Sequence, residues 1–221
     1  MTVSIAQIED LLTLHGLIPR GALQLDASEC NALNAKSLVL IGHSGSSIWP
    51  HFTKWLQEQK TALENPLDAW SEHVITPIAA ALGGRAIFPF QKPFHPFQQW
   101  AMRAEGLKPS PLGILIHPVY GLWHAYRGAV VFEVEILIQE ADELNHPCGL
   151  CIGKPCLSAC PVNAFPQEGY DVVSCRSHLA TETGGECMRG GCKARLACPI
   201  GRDYVYPPEQ MRFHMRAFAR N

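Results

Sequence analysis

Eight of the nine cysteines in this 221-residue chain lie between Cys148 and Cys198, and they fall into two groups. Cys148, Cys151, Cys156 and Cys160 are spaced C-x2-C-x4-C-x3-C, and Pro161 follows the last of them. Cys175, Cys187, Cys192 and Cys198 form a looser group that also ends in Cys-Pro, at Pro199. Soft thiolates on short Cys-x2–4-Cys loops can wrap the backbone around three corners of a polynuclear centre. A proline after the last ligand stops the chain continuing as helix. A cubane iron–sulfur cluster takes four thiolates, so these cysteines predict two [4Fe–4S] clusters.

The paired Cys-Pro endings resemble bacterial two-cluster ferredoxins, in which the cysteine of Cys-Pro serves the other cluster. That resemblance implies one cluster on Cys148, Cys151, Cys156 and Cys198, and a second on Cys160, Cys175, Cys187 and Cys192. The usual run is C-x2-C-x2-C-x3-C-P, and Ile152 to Pro155 lengthen the second gap by two residues. The later half is also loose, which leaves ligand swaps within the second set open. Two other uses of cysteine compete. Four disulfides would suit a small secreted chain, whereas these cysteines crowd one region of a long one. Two four-cysteine zinc sites are the closer alternative, and the Cys-Pro endings favour iron–sulfur over them.

The length allows one or two domains, and 47% hydrophobic with 17% charged residues is a globular balance. A net charge of −2 and a pI near 6.5 give no global case for nucleic acid or an anionic membrane. Met1 to Gly16 lacks the layout of a signal peptide, and no apolar run reaches the roughly 18–20 residues of a spanning helix. A reduced, cytoplasmic protein with neither a membrane nor a nucleic-acid partner is expected. Cys30 stands apart and reads as a plain thiol.

The elements that must position the cysteines come before and around them. Ser4 to His15 predicts a helix, with Ser4 and Gln7 as a capping box and Gly16 as its stop. Arg20 to Asn34 has no clear period. Ser37 to Ile41 is a buried strand, followed by the loop Gly42-His43-Ser44-Gly45-Ser46-Ser47, which is neither a P-loop nor a nucleophile elbow. Asn65 and Pro66 open a helix reaching Leu82, with a kink expected at Pro77. Arg85 to Phe90 is a strand candidate. Phe88, Phe90, Phe94, Phe97 and Trp100 then form an aromatic cluster that could be packing or the wall of a pocket for a flat ligand. Leu112 to His117 and Trp123 to Ile138 read as strands, and the turn between them is rich in His, Tyr, Trp and Arg, a composition found at ligand sites.

Leu112 to Phe132 resembles the Ile-His-Pro-x-Phe/Tyr-Gly-x-Trp…Arg-Gly-Val-Val segment of the cobalamin-processing (CblC-type) proteins. The C-terminal half is similar to the ferredoxin module of epoxyqueuosine reductase, and more loosely to reductive dehalogenases. Ser174 to Glu182 resembles the reductase's Cys-Ile-Ser-Tyr-Leu-Thr-Ile-Glu stretch. The resemblance covers about residues 110–200 and implies an α+β chain. A nitroreductase-like α/β domain over 1–143 would bind a corrinoid, and a small ferredoxin-like module with a C-terminal helix would occupy 144–221. It further implies His117, Trp123 and Arg127 at a corrinoid pocket, with Tyr120 and Tyr126 beside them. No counterpart of the reductase's helical extension for tRNA, or of its catalytic acid, is placed here.

An oxidoreductase-like role follows: a redox donor protein or reductase fills the clusters, which deliver electrons to a bound cobalamin. The alternatives are a ferredoxin-type carrier whose N-terminal domain only docks a partner, and a flavin-using reductase. Arg189, Lys193, Arg195 and Arg202 crowd the cysteines, and Arg212, Arg216 and Arg220 line a final helix, fitting cluster tuning or an acidic redox partner as well as RNA.

Overall fold

The structure, a computed structural model, describes residues 4–138, 145–167 and 169–220. In chain order the first elements are α1 (Ile5–Thr13), β1 (Ile18–Gln24), α2 (Ala27–Leu33), β2 (Ser37–Ser44), α3 (Trp49–Gln57) and α4 (Pro66–Ala81). Then come β3 (Arg85–Ile87), α5 (Phe97–Glu105), β4 (Lys108–Pro109), β5 (Leu115–Ile116) and β6 (His124–Phe132). The remainder is helical: α6 (Pro155–Ser158), α7 (Val172–Leu179), α8 (Gly185–Gly190), α9 (Lys193–Leu196) and α10 (Pro208–Arg220). The class is mixed α+β. Among the described residues no helix is long and apolar enough to cross a membrane.

The chain divides into two compact units, Met1–Gly106 with Ala125–Glu143, and Leu107–His124 with Leu144–Asn221. The expected boundary at 143/144 therefore meets a discontinuous arrangement, with the segment 107–124 grouped with the cysteine-bearing part.

The N-terminal unit is built on a sheet of order β1-β2-β6-β3, with β1 antiparallel to β2 and β3 antiparallel to β6. Leu38 to Ile41 are wholly buried, as a central strand covered on both faces requires, and this is why β2 reads as a continuous apolar run. The Ser4–Gln7 capping box of α1 has both reciprocal bonds. Asp26 and Glu29 make a second capping box that starts α2 inside the stretch without clear period. In α4 the buried Leu67, Trp70, Val74 and Ile78 recur at helical spacing, and the helix runs through Pro77. Asn65 opens it without a side-chain cap bond. The expected strand Arg85 to Phe90 stops at Ile87, where Pro89 has no amide to offer a ladder. Trp123 to Ile138 shortens to β6.

Within this unit Arg20 is buried and paired with Glu105 through Nε (2.8 Å) and Nη2 (3.1 Å). Tyr126 donates its hydroxyl to the same carboxylate. The aromatic cluster resolves into packing for most of its members: Phe88, Phe97 and Trp100 are buried, and the Trp100 indole donates to Glu29 at 2.7 Å. Phe94 is 68% exposed, beneath Lys92.

In the C-terminal unit β4 and β5 form a small antiparallel ribbon. The expected strand over Leu112 to His117 shrinks to β5, because Gly113 turns the chain at φ +77°. Gly121 and Gly201 lie back to back: a Cβ on Gly121 would meet Ile200 O at 2.1 Å, and one on Gly201 would meet the Tyr120 carbonyl at 2.3 Å. Only glycine permits that approach at φ +58° and +73°. It fastens the 107–124 segment to the turn that follows Cys198.

Candidate metal centre

The cysteines sit on short helices and the turns between them. Cys148 lies in a 3-10 turn over Pro147–Gly149, Cys156 on α6, Cys175 on α7 and Cys187 on α8. Cys192 is the residue that opens α9, and Cys151, Cys160 and Cys198 fall in the irregular links beside turns. The lengthened gap has a local explanation. Gly153 and Lys154 both take left-handed backbone (φ +72° and +38°), so the extra residues form a turn that delivers Cys156 at the start of α6.

Among the described residues of this unit, the cysteines line two cavities. One is walled by Cys148, Cys151, Cys156 and Cys198, together with Lys154, Pro147 and Pro199. The other, of about 520 Å³, is walled by Cys160, Cys175, Cys187 and Cys192 and by the α10 side chains His214, Met215 and Phe218. Leu112 lines both. Each cavity thus draws cysteines from both sequence groups.

Burial raises the pKa of four of these thiols, Cys148, Cys156, Cys187 and Cys192. Burial pushes Cys148 and Cys156 up, and the neighbouring cysteines of the same cavity, Cys198 first in each case, push further. Burial likewise raises Cys187 and Cys192, against backbone N–H groups: Lys193 for Cys187, and Arg195 and Ala194 for Cys192. The Ala164 amide donates to Cys160 Sγ at 3.4 Å. Crowded, buried thiols ionise readily only against a cationic core, so loading such a set would release protons. Amides aimed at sulfur are the groups that tune a bound cluster's potential. Among the described residues, no three His, Cys, Asp or Glu side chains are placed to hold a single ion. Cys160, Cys175, Cys187 and Cys192 instead line the space of about 520 Å³, and four soft donors around such a void fit a polynuclear iron–sulfur core, whereas Cys148, Cys151, Cys156 and Cys198 close around only about 20 Å³.

Three residues around the larger cavity escaped the sequence reading. Tyr170 bonds Cys175 through its hydroxyl, and burial and that contact raise its pKa. It stacks on Phe165, with ring centroids 4.8 Å apart. His178 lines the cavity with a buried Nε2 that has no partner among the described residues. Its place one helical turn after Cys175 was the available signal. Met215 closes the same wall from α10.

The five residues expected at a corrinoid pocket divide between the units. His117 stacks on Tyr120 at 4.1 Å, and its Nδ1 accepts from the amides of Val119 and Tyr120. Trp123 is buried in the same unit, under the Arg195 guanidinium (4.3 Å) and edge-on to Tyr206. Arg195 also donates to Leu122 O at 2.6 Å. Tyr126 and Arg127 belong to the N-terminal unit, where Tyr126 engages Glu105 and Arg127 pairs with Asp68 at 2.8 Å. Cys30, a half-buried thiol, lies 3.5 Å from Leu25 O.

No protein-family model matches the chain, and no curated protein sequence matches it. Solved structures of epoxyqueuosine reductase do share its fold. The enzyme from Streptococcus thermophilus superposes with a TM-score of 0.55 at 14% identity, covering 91% of this chain and 67% of that one. A selenomethionine-labelled epoxyqueuosine reductase gives 0.57 at 12% identity, over 94% of this chain and 68% of that one. A third, solved with an epoxyqueuosine-modified tRNA-Tyr stem loop, gives 0.55 at 14%, over 94% and 69%. This chain therefore has the α+β fold that epoxyqueuosine reductases have.

Proposed function

We propose that this chain is an iron–sulfur redox protein holding two [4Fe–4S] clusters, one on Cys148, Cys151, Cys156 and Cys198 and the other on Cys160, Cys175, Cys187 and Cys192. One observation carries the reading: eight cysteines from interleaved sequence positions surround two cavities in fours. Bound there, the clusters supply one-electron storage. The chain's part is to exclude water with Leu112, Ile116, Leu122 and Phe165, and to aim amide dipoles at the sulfurs. Similarity of fold to a reductase supports a redox role.

The electron acceptor is a finer proposal. A cobalamin contacted by His117, Tyr120, Trp123, Tyr126 and Arg127 is supported by the resemblance of residues 112–132 alone. The burial of Trp123 beneath Arg195 weighs against that side chain as an open pocket wall. One similar reductase was solved with a tRNA stem loop, which sets RNA among the ligands to try, against the expectation of no nucleic-acid partner.

Anaerobic purification, iron and zinc analysis and a visible spectrum test the cluster reading. A brown protein with iron and acid-labile sulfide is the expected result, and a colourless zinc protein refutes it. Hydroxocobalamin titration of the same sample tests the acceptor: a perturbed corrin spectrum supports a corrinoid reductase, and an unperturbed one leaves a ferredoxin-type carrier.

A further inference from the structure

Charge is divided unevenly between the two units. Leu107–His124 with Leu144–Asn221 contains 10 Lys and Arg against 6 Asp and Glu, a net +4, within a chain whose total is −2. Much of the excess lies on α10, where Arg212, Arg216 and Arg220 recur every fourth residue and Glu209 is the sole acid. At 3.6 residues per turn the three arginines centre on one face, about 160° around the helix from His214, Met215 and Phe218. Burial agrees with that geometry. Arg216 and Arg220 are exposed and Arg212 is half-buried, whereas Met211 is buried and Met215 and Phe218 are half-buried. The inward face lines the cavity of Cys160, Cys175, Cys187 and Cys192. The helix is thus the wall between that cavity and a cationic surface, and a helix with its side chains is only about 10–12 Å across.

We propose that the Arg212–Arg216–Arg220 face of α10 docks an acidic one-electron carrier protein, of the flavodoxin or ferredoxin charge type, which reduces the centre held by Cys160, Cys175, Cys187 and Cys192. The inference rests on the two-cluster reading above and adds where electrons enter. Each encounter moves one electron: the carrier is oxidised by one, the centre is reduced by one, and no covalent bond is made or broken. The arginines steer an anionic partner and hold its redox-active edge one helix diameter from the cavity. Arginine also pairs with carboxylates in bidentate fashion, which suits a carrier ringed with Asp and Glu.

The test uses the full anaerobic protein and an R212E/R216E/R220E variant, with reduced flavodoxin as the acidic carrier and dithionite as a small reductant. Stopped-flow bleaching of the visible band should show the carrier's second-order rate falling at least about tenfold in the variant at low ionic strength. The wild-type rate should drop steeply as added salt shortens the screening length from about 30 Å to about 3 Å. Dithionite rate, iron content and spectrum should be unchanged, and the R212K/R216K/R220K variant should keep most of the carrier rate. An unaltered carrier rate in the Glu variant overturns the proposal. So does a variant that keeps its carrier rate and loses affinity for an RNA stem loop, since the face would then be a nucleic-acid surface. If the triple variant loses iron, Arg216→Glu alone, at an exposed position, carries the same comparison. Wild-type protein without iron would refute the cluster reading instead, and carrier affinity measured by titration would still decide the surface.

Discussion

Replacing cysteines in pairs separates the crossed arrangement from a simple sequential one. In sequence, Cys160 groups with Cys148, and Cys198 belongs to the later group. In space, Cys198 shares a cavity with Cys148, and Cys160 lies in the other. Alanine cannot ligate iron, so each single substitution should cost one cluster, lowering iron from about eight to about four per chain. The doubles then diverge. Cys148→Ala with Cys198→Ala removes two ligands of one centre, so about four irons should remain, no fewer than in either single variant. Cys148→Ala with Cys160→Ala strikes both centres and should leave essentially none. This is non-additivity within a shared site and additivity across separate ones. Colorimetric iron with electron paramagnetic resonance of the reduced proteins reads the outcome. The reverse result, iron retained in the 148/160 double and lost in the 148/198 double, would mean the cavities do not define the ligand sets.

Three further outcomes are expected. Glu105→Ala leaves the buried Arg20 guanidinium without its carboxylate, and urea unfolding should show a loss of about 3–5 kcal/mol; a loss below about 1 kcal/mol would mean the pair is solvated in solution. Gly201→Ala forces a side chain into left-handed backbone against the Tyr120 carbonyl, and the clash is with main chain, so nothing flexible can yield. Stability should fall by at least about 2 kcal/mol, with loss of the iron associated with Cys198, whereas an unchanged melting temperature and iron count would contradict the contact. The pKa of His15 is lowered from 6.5 by burial and then by the charges of His51 and His73, so folding favours its neutral form. Protons then bind the unfolded chain preferentially, and stability should decline as pH falls below about 6.5. His15→Gln should flatten that decline in thermal melts, and an unaltered pH profile would exclude His15 as its source.

What could be read from the sequence was what is local. The Ser4–Gln7 box and the run Leu38 to Ile41 report their own environments, since capping is reciprocal over three residues and a central strand is apolar on both faces. The Asp26–Glu29 box was equally local, and α2 could have been read from it. Strand ends were less legible: Pro89 and the turn at Gly113 cut short segments whose composition alone looked extended. The grouping of 107–124 with the cysteines was hidden because it depends on Gly121 meeting Ile200, some 80 residues away. Trp123 shows the same limit at a single residue. Its type suits a pocket wall, but whether its face is open depends on Arg195, which the structure lays across it. The division of the cysteines between the cavities follows the one implied by the ferredoxin resemblance, and the iron counts above decide whether it is also the division of ligands.

The back-to-back glycines have a consequence for how the chain is made. The strand β6 completes the N-terminal sheet within a few residues of leaving the segment 107–124, yet that segment's packing partner, the Ile200–Gly201 turn, emerges roughly 80 residues later. At about 5–20 residues per second, on the order of 4–16 s of synthesis separate the two. Leu112, Ile116 and Leu122, which are buried in the finished protein, gain Cys156, Cys160 and Ala164 as core partners before that turn, and Cys198 and Ile200 only with it. Cys198 is also the last of the four cysteines that line the cavity of Cys148, so that lining closes only once this turn has been made. On the proposed ligand set, iron supplied earlier would meet three thiols and no fourth. Assembly of the proposed centre would then wait for the turn that seals the glycine contact, which also brings in the fourth sulfur.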